Sequence, residues 1–198
     1  MEKTIKKIIN EVSDEDIITR FQRGDMYAFD LIVKRYKDQL LNFAYRFLGD
    51  MEDSEDIVQE TFLRVFRKKK LYKNIAKFST WIYTITGNLA KTELRRRKRK
   101  KLFSISGVGY EEKDFEIPDI KHGPDDQAES VVKDEIIQKA IDSLSGKFKE
   151  VIILRDIQEL SYEEISKIAK IPLGTVKSRV NRGRLKLQEK LGHLVKIP

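Results

Sequence analysis

Three stretches of this 198-residue sequence hold side chains whose types and spacing could do chemistry. The first runs from Met51 to Glu60 and reads MEDSEDIVQE. On a helix, Asp53, Asp56 and Glu60 fall at i, i+3 and i+7 and share a face, with Gln59 beside them. Such carboxylates could form a metal cluster of the kind a nuclease uses. No histidine accompanies them and no Gly-rich phosphate loop lies nearby, which argues against catalysis. Acids at a helix N-terminus are also favoured by the helix dipole alone. A third reading is a protein-binding face for a basic partner.

The second stretch, Lys77-Phe78-Ser79-Thr80-Trp81-Ile82-Tyr83, mixes aromatics, hydroxyls and a cation. It leads to Lys91 and the run Arg95-Arg96-Arg97-Lys98-Arg99-Lys100-Lys101. Rings that stack bases and cations that hold phosphates suit single-stranded DNA. The Trp81 ring reads better as a core residue, facing inward with Ile82, Ile85 and Leu89, and the basic run alone could be a general phosphate patch. The third stretch, Leu160 to Leu187, has the layout of a helix-turn-helix. Val176, Val180 and Leu187 share one face of its second helix and should pack on Ile165, Ile168 and Ala169. Thr175, Ser178 and Arg182 then point outward, flanked by Lys177, Arg179 and Asn181. From Thr175 to Gln188 there is no acidic residue, so this face suits a duplex major groove better than plain solvent.

The elements that must position these groups are helices. Ser13 caps a short helix with acids in its first turn, and Gly24 ends it. Apolar residues then recur at helical spacing from Asp25 to Phe47, and Gly49 closes that helix. Helices follow from Asp53 to about Lys69 and from Ser79 to about Lys101. From Phe103 to Pro124 periodicity disappears, and Gly107, Gly109, Pro118, Gly123 and Pro124 punctuate an acidic, partly extended linker. Helical pattern resumes near Asp126 and runs to Leu144. Lys147 to Ile157 comes next, then a capping box at Ser161 and Glu164 opening a short helix to Ala169, and a last helix from Thr175 to about Leu191. The expected fold is all-α: two small helical domains, 1–102 and 126–198, joined by the acidic linker 103–125.

The net charge of +8 favours polyanionic partners. Its distribution is uneven: residues 91–101 carry eight basic and one acidic side chain, residues 103–130 two and eight, residues 131–198 14 and nine. A plain DNA-binding domain does not need that acidic interruption. The absence of cysteine excludes disulfides and points to a reducing cytoplasm. His122 and His193 are too far apart in sequence to form a plausible metal pair, and no metal or other cofactor is expected. No apolar run approaches the roughly 20 residues needed to span a bilayer, and Met1 to Glu11 has no signal-peptide core.

Two blocks carry a family resemblance. EDSEDIVQETFLRVFR followed by FSTWIYTITGNLAKTELRRRKR resembles region 2 of the sigma-70 family, and LSYEEISKIAKIPLGTVKSRVNRGRLKLQEKL resembles region 4.2. In this order, with a linker of this length and nothing between, they are similar to the extracytoplasmic-function (ECF) group of RNA polymerase sigma factors. The resemblance implies a non-enzymatic subunit that directs core polymerase to promoters. It assigns Asp53, Asp56, Gln59 and Glu60 to a coiled coil on the polymerase clamp. It assigns the Tyr72–Phe78 loop and the helix after it, with Asn74, Lys77, Phe78, Tyr83, Thr84, Asn88 and Lys91, to the melted −10 strand. It assigns Thr175, Lys177, Ser178, Arg179 and Arg182 to the −35 duplex. The second domain would dock on the polymerase flap, the linker would thread near the active-site cleft, and an anti-sigma factor is an expected partner.

There are departures from the family pattern. Relatives often read Tyr-Arg-Ile-Ala where this chain has Tyr83-Thr84-Ile85-Thr86, so a phosphate-binding cation is lost. Gly87 adds a soft spot of about 1 kcal/mol if it lies mid-helix. Two rivals remain. An autonomous helix-turn-helix regulator would bind promoters without polymerase. A nuclease using Asp53, Asp56 and Glu60 would cleave in a metal-dependent way.

Overall fold

The structure is a computed structural model that describes residues 12–105 and 126–192. Its elements are α1 (Asp14–Gln22), α2 (Met26–Leu48), α3 (Met51–Lys68), a 3₁₀ turn at Lys69–Leu71 and α4 (Phe78–Ile105). The second group is α5 (Asp126–Asp142), α6 (Gly146–Ile152), a π-helical turn at Ile153–Ile157, α7 (Tyr162–Ala169) and α8 (Leu173–Leu191). Among the described residues there is no strand, and no helix is long and apolar enough to cross a membrane.

Local chemistry explains most boundaries. The Ser13 hydroxyl accepts the Asp16 N–H at 3.1 Å, and Asp14, Glu15 and Asp16 fill the first turn of α1. Asp25 caps α2 through the Ala28 N–H, and Asp50 caps α3 through the Asp53 N–H. Gly24 and Gly49 stop the helices before them at φ of +106° and +68°, the left-handed region glycine enters without strain. The Ser161–Glu164 capping box is complete: each side chain accepts the other residue's N–H. α4 runs to Ile105, past the expected start of the linker at Phe103. Most of that linker, 106–125, lies outside the described residues, as do both histidines.

In the first group, α2 is central. Ile17, Ile18 and Phe21 of α1, Ile32, Leu40, Phe43 and Phe47 of α2, Val65 of α3 and Ile82 of α4 are all at most 2% exposed. In the second group Val151, Ile152, Ile165, Ile168, Val176 and Val180 are closed to the same degree. One contiguous apolar cluster includes residues of both groups, so they pack against each other as well as within themselves.

Candidate functional site

The loop between α3 and α4 is held by three side chains. The Gln22 amide donates to the carbonyls of Lys69 (2.6 Å) and Tyr72 (3.0 Å). The Glu15 carboxylate accepts the Phe78 N–H at 3.0 Å and so caps α4 from another helix. The Tyr72 hydroxyl donates to the Ala76 carbonyl at 2.8 Å. Burial, reinforced by the charges of Glu15 and Asp14, pushes that hydroxyl up to about 12, so it keeps its proton. Beside the loop opens a cavity of about 410 Å³ lined by Asn74, Ile75, Ala76 and Lys77, by Asp14 and Glu15, and by Ser79 and Lys167. Ile75 is 84% exposed. Amide, ammonium and carboxylate groups around an exposed apolar side chain suit a planar, hydrogen-bonding heterocycle.

Along α4 the expected strand-binding residues divide. Asn74, Lys77 and Asn88 are exposed, and Thr84 and Lys91 half-buried. Phe78 and Tyr83 are corrections. Phe78 is 0% exposed, edge-on to Tyr36 and Tyr72, so its ring is core and is not offered to a base. Tyr83 is 2% exposed, with its ring edge-on to Phe43 and its hydroxyl 2.7 Å from the Gln158 Oε1. Both rings meet α2, Phe78 through Tyr36 and Tyr83 through Phe43, and Tyr83 is also closed over by Gln158 of the second group. Trp81, read as core, is half-buried beside Tyr72 and Phe78. The Thr84 hydroxyl turns back to the Thr80 carbonyl at 2.7 Å. Arg95, Arg96, Lys98, Arg99 and Lys100 extend the exposed cationic face.

Within that run Arg96 pairs with Glu93 at 2.6 Å on the surface, and Arg97 turns inward. Its Nε donates to the Asp53 carboxylate at 2.9 Å and its Nη1 to the Leu48 carbonyl at 2.9 Å. Asp53 is therefore occupied within the fold. Glu60 pairs with Arg64 at 2.7 Å, and that guanidinium holds its carboxyl below the usual range. Asp56 and Gln59 remain exposed, in line with Leu63 at 48% exposure. With Asp53 and Glu60 neutralised by separate arginines, the three carboxylates do not converge. Among the described residues no group of three or more His, Asp or Glu could hold a metal ion.

In the helix-turn-helix, Val176 and Val180 are buried in one cluster with Ile165 and Ile168, and Leu187 packs on its edge. The missed contact is Gly183, where a Cβ would stand 2.6 Å from Ile152 Cγ1. Lys177, Ser178 and Arg182 are exposed, Thr175 and Arg179 half-buried. Arg184 is tied to Asp156 at 2.5 Å. This leaves a polar, cationic outer face on α8. Gln22, Glu15 and Arg97 were also missed. Their partners lie 44 to 63 residues away, and no local spacing signals such contacts.

Residues 32–100 match the profile described as Sigma-70 region 2, and residues 134–187 that described as Sigma-70, region 4. The chain is 37% identical over 196 residues to the ECF RNA polymerase sigma factor SigW of Bacillus subtilis, covering 98% of this chain and 100% of that protein. The chain belongs to the ECF sigma factors. As an alternative sigma factor it directs transcription initiation, with core RNA polymerase and promoter DNA as its partners. It is also 31% identical to the RNA polymerase sigma-H factor of Pseudomonas aeruginosa, covering 96% of this chain and 99% of that protein. Among solved structures, the sigma factor RpoE of Bartonella quintana, in complex with the anti-sigma factor NepR, superimposes with a TM-score of 0.64. It is 28% identical and covers 85% of this chain and 98% of its own. CnrH, solved with the cytosolic domain of CnrY, shares the fold at a TM-score of 0.68 and 19% identity, over 92% of this chain and 99% of its own.

Proposed function

We propose that this sigma factor divides its work among three surfaces. The exposed strip of α3, with Asp56, Gln59 and Leu63, docks on the clamp coiled coil of core polymerase, while Asp53 braces that helix through Arg97. The cavity beside the Tyr72–Phe78 loop takes an unstacked base of the −10 non-template strand, with Asn74 and Lys77 at its rim. Asn88, Lys91 and the cations beyond them follow the strand's phosphates. The outer face of α8 reads the −35 duplex: Lys177, Arg179 and Arg182 supply affinity, Thr175 and Ser178 hydrogen bonds. On this reading residues 1–102 and 126–198 are the two promoter-reading domains and 103–125 the thread between them.

The observation that carries this reading is the pairing, on one chain, of a polar loop leading into a cationic helix with a second, acid-free helix face. The chain makes and breaks no bond of its own. Strand opening is driven by the capture of unstacked bases. Its template places its work in the cytoplasm. The solved relatives in complex with anti-sigma factors favour an anti-sigma partner here too.

Run-off transcription with purified core polymerase, this protein and a library of promoter fragments tests the reading. Start sites that need both proteins, with shared sequences near −35 and −10, are expected. Lys177→Ala should lower transcription across promoters and reduce the salt slope of holoenzyme binding by about one. Tight promoter binding by the chain without polymerase, and no added initiation, would favour the autonomous regulator.

A further inference from the structure

From Thr61 to Thr92 the chain carries eight lysines and arginines and no acid. Arg67, Lys68, Lys70 and Lys73 of this set are exposed where α3 ends and turns into the Tyr72–Phe78 loop. No carboxylate among the described residues forms an ion pair with any of them. Glu60 feels the charge of Arg67 and Lys68, but it is bonded to Arg64. Lys69 serves the fold instead: its Nζ lies 3.9 Å from the centroid of the buried Phe21 ring and 5.5 Å from that of Phe66. The Gln22 amide holds the carbonyls of Lys69 and Tyr72, on the two sides of Leu71. Lys68, Lys70 and Lys73 therefore project from a backbone that is fastened before any ligand arrives, which lowers the ordering cost of binding one. Leu71, in their midst, is 68% exposed.

Clustered cations without counter-charges call for a polyanion. An open apolar side chain among them selects a single strand over a duplex. A duplex offers phosphates but keeps its base faces stacked, whereas a single strand offers both. The cations of α4, Lys91 and the basic run, follow the Tyr72–Phe78 loop in sequence, and the Lys68–Lys73 turn precedes it. The loop thus has a cationic flank on each side. Upstream of the −10 element the promoter is duplex as far as −35, so the single strand that adjoins the −10 bases runs toward the start site. We propose that the Lys68–Lys73 turn is a second single-strand site, which holds the non-template nucleotides that follow the −10 element. Lys68, Lys70 and Lys73 take their phosphates, and Leu71 packs against a base. Phosphate contacts carry no sequence information, so this site tightens the opened complex without changing which −10 element is chosen.

The proposal rests on the assignment of the Tyr72–Phe78 loop to the −10 strand, and the test separates the two. Holoenzyme is assembled from core polymerase and the full chain. It is bound to two fluorescent fork templates, each duplex from −35 to the upstream edge of the −10 element. In the short fork the single-stranded non-template tail ends with the −10 bases. In the long fork it continues to the start site. Anisotropy across a salt series gives affinity and salt slope for the parent, for Lys68→Gln/Lys70→Gln/Lys73→Gln and for Leu71→Ala. All four positions are exposed, and the short fork reports whether each variant still folds and assembles.

The triple variant should match the parent on the short fork. On the long fork its salt slope should be shallower by about 2, because each phosphate held on a single strand contributes about 0.7. Leu71→Ala should weaken the long fork alone, about threefold, with the slope unchanged. A long-fork slope equal to the parent's overturns the phosphate site. An equal change on both forks overturns it too, because the lysines then act on the polymerase or on the −10 bases. Unchanged long-fork affinity in Leu71→Ala overturns the base contact. If Asn74→Ala/Lys77→Ala leaves short-fork binding unchanged, the loop assignment is what failed, and the second site falls with it.

Discussion

Two glycines in the middle of helices should respond to alanine in opposite directions. Gly87 lies inside α4, where an added Cβ would sit 3.8 Å from both Phe43 Cζ and Glu150 Oε1, ordinary contact distance. Gly87→Ala therefore keeps most of the helix-propensity gain of about 1 kcal/mol. Gly183 lies inside α8, where the same Cβ would stand 2.6 Å from Ile152 Cγ1 and 2.9 Å from Cδ1. Ile152 is 1% exposed, so its side chain cannot swing out to solvent without disturbing the core. Overpacking of this kind costs about 1–3 kcal/mol, and set against the propensity gain of about 1 kcal/mol it leaves Gly183→Ala up to about 2 kcal/mol less stable. Urea unfolding followed by far-UV circular dichroism reads both as midpoint shifts at constant slope. In an Ile152→Ala background the obstruction is gone, and Gly183→Ala should then stabilise. A Gly183→Ala chain as stable as the parent, or a cost that persists without the Ile152 side chain, would refute the steric account.

Further outcomes follow from the same contacts. Gln22→Ala removes two hydrogen bonds to the carbonyls of Lys69 and Tyr72 and should loosen the −10 loop. Transcription from promoters with altered −10 bases should rise relative to the parent promoter, while −35 preference stays unchanged. Arg97→Ala unpairs Asp53 and the Leu48 carbonyl in a half-exposed site. A loss of about 1–2 kcal/mol in urea unfolding is expected, most of it from the stranded carbonyl and carboxylate. Acid should weaken the chain only at low pH. At Glu164 burial works against the charge, but the Ser161 N–H and Lys77, itself near Glu15, hold the carboxyl below its ordinary 4.5. Asp25 and Glu60 are lowered by Arg20 and Arg64. Folded values below the unfolded ones mean a contribution fully present above about 4.5 and lost as pH falls through the folded values. The thermal midpoint should hold from neutrality to that point and drop beneath it. A decline beginning near pH 6 would contradict this assignment.

Much of the chain was legible before any tertiary contact was known. Helix ends rest on residues within four positions of each other: Ser13 with Asp16, Asp25 with Ala28, Ser161 with Glu164, and Gly49 in the left-handed region. The outer face of α8 followed from the same short range. Val176 and Val180 must face inward, so Lys177, Ser178 and Arg182 face out. The family was legible too, because its blocks are contiguous.

Contacts between distant segments were not. Phe78 and Tyr83 stand among lysines and hydroxyls in sequence, as a base-stacking platform would, yet the packing of α4 on α2 turns both rings into the core. Arg97 is one cation among many until α3 brings Asp53 beside it. Gln22 and Glu15 hold a loop about fifty residues away. The ion pairs of Lys77 with Glu164 and of Lys91 with Glu150 span 87 and 59 residues. A helix determines from its own neighbours which side chains share a face. What that face meets depends on how the helices pack, and only the folded chain decides that.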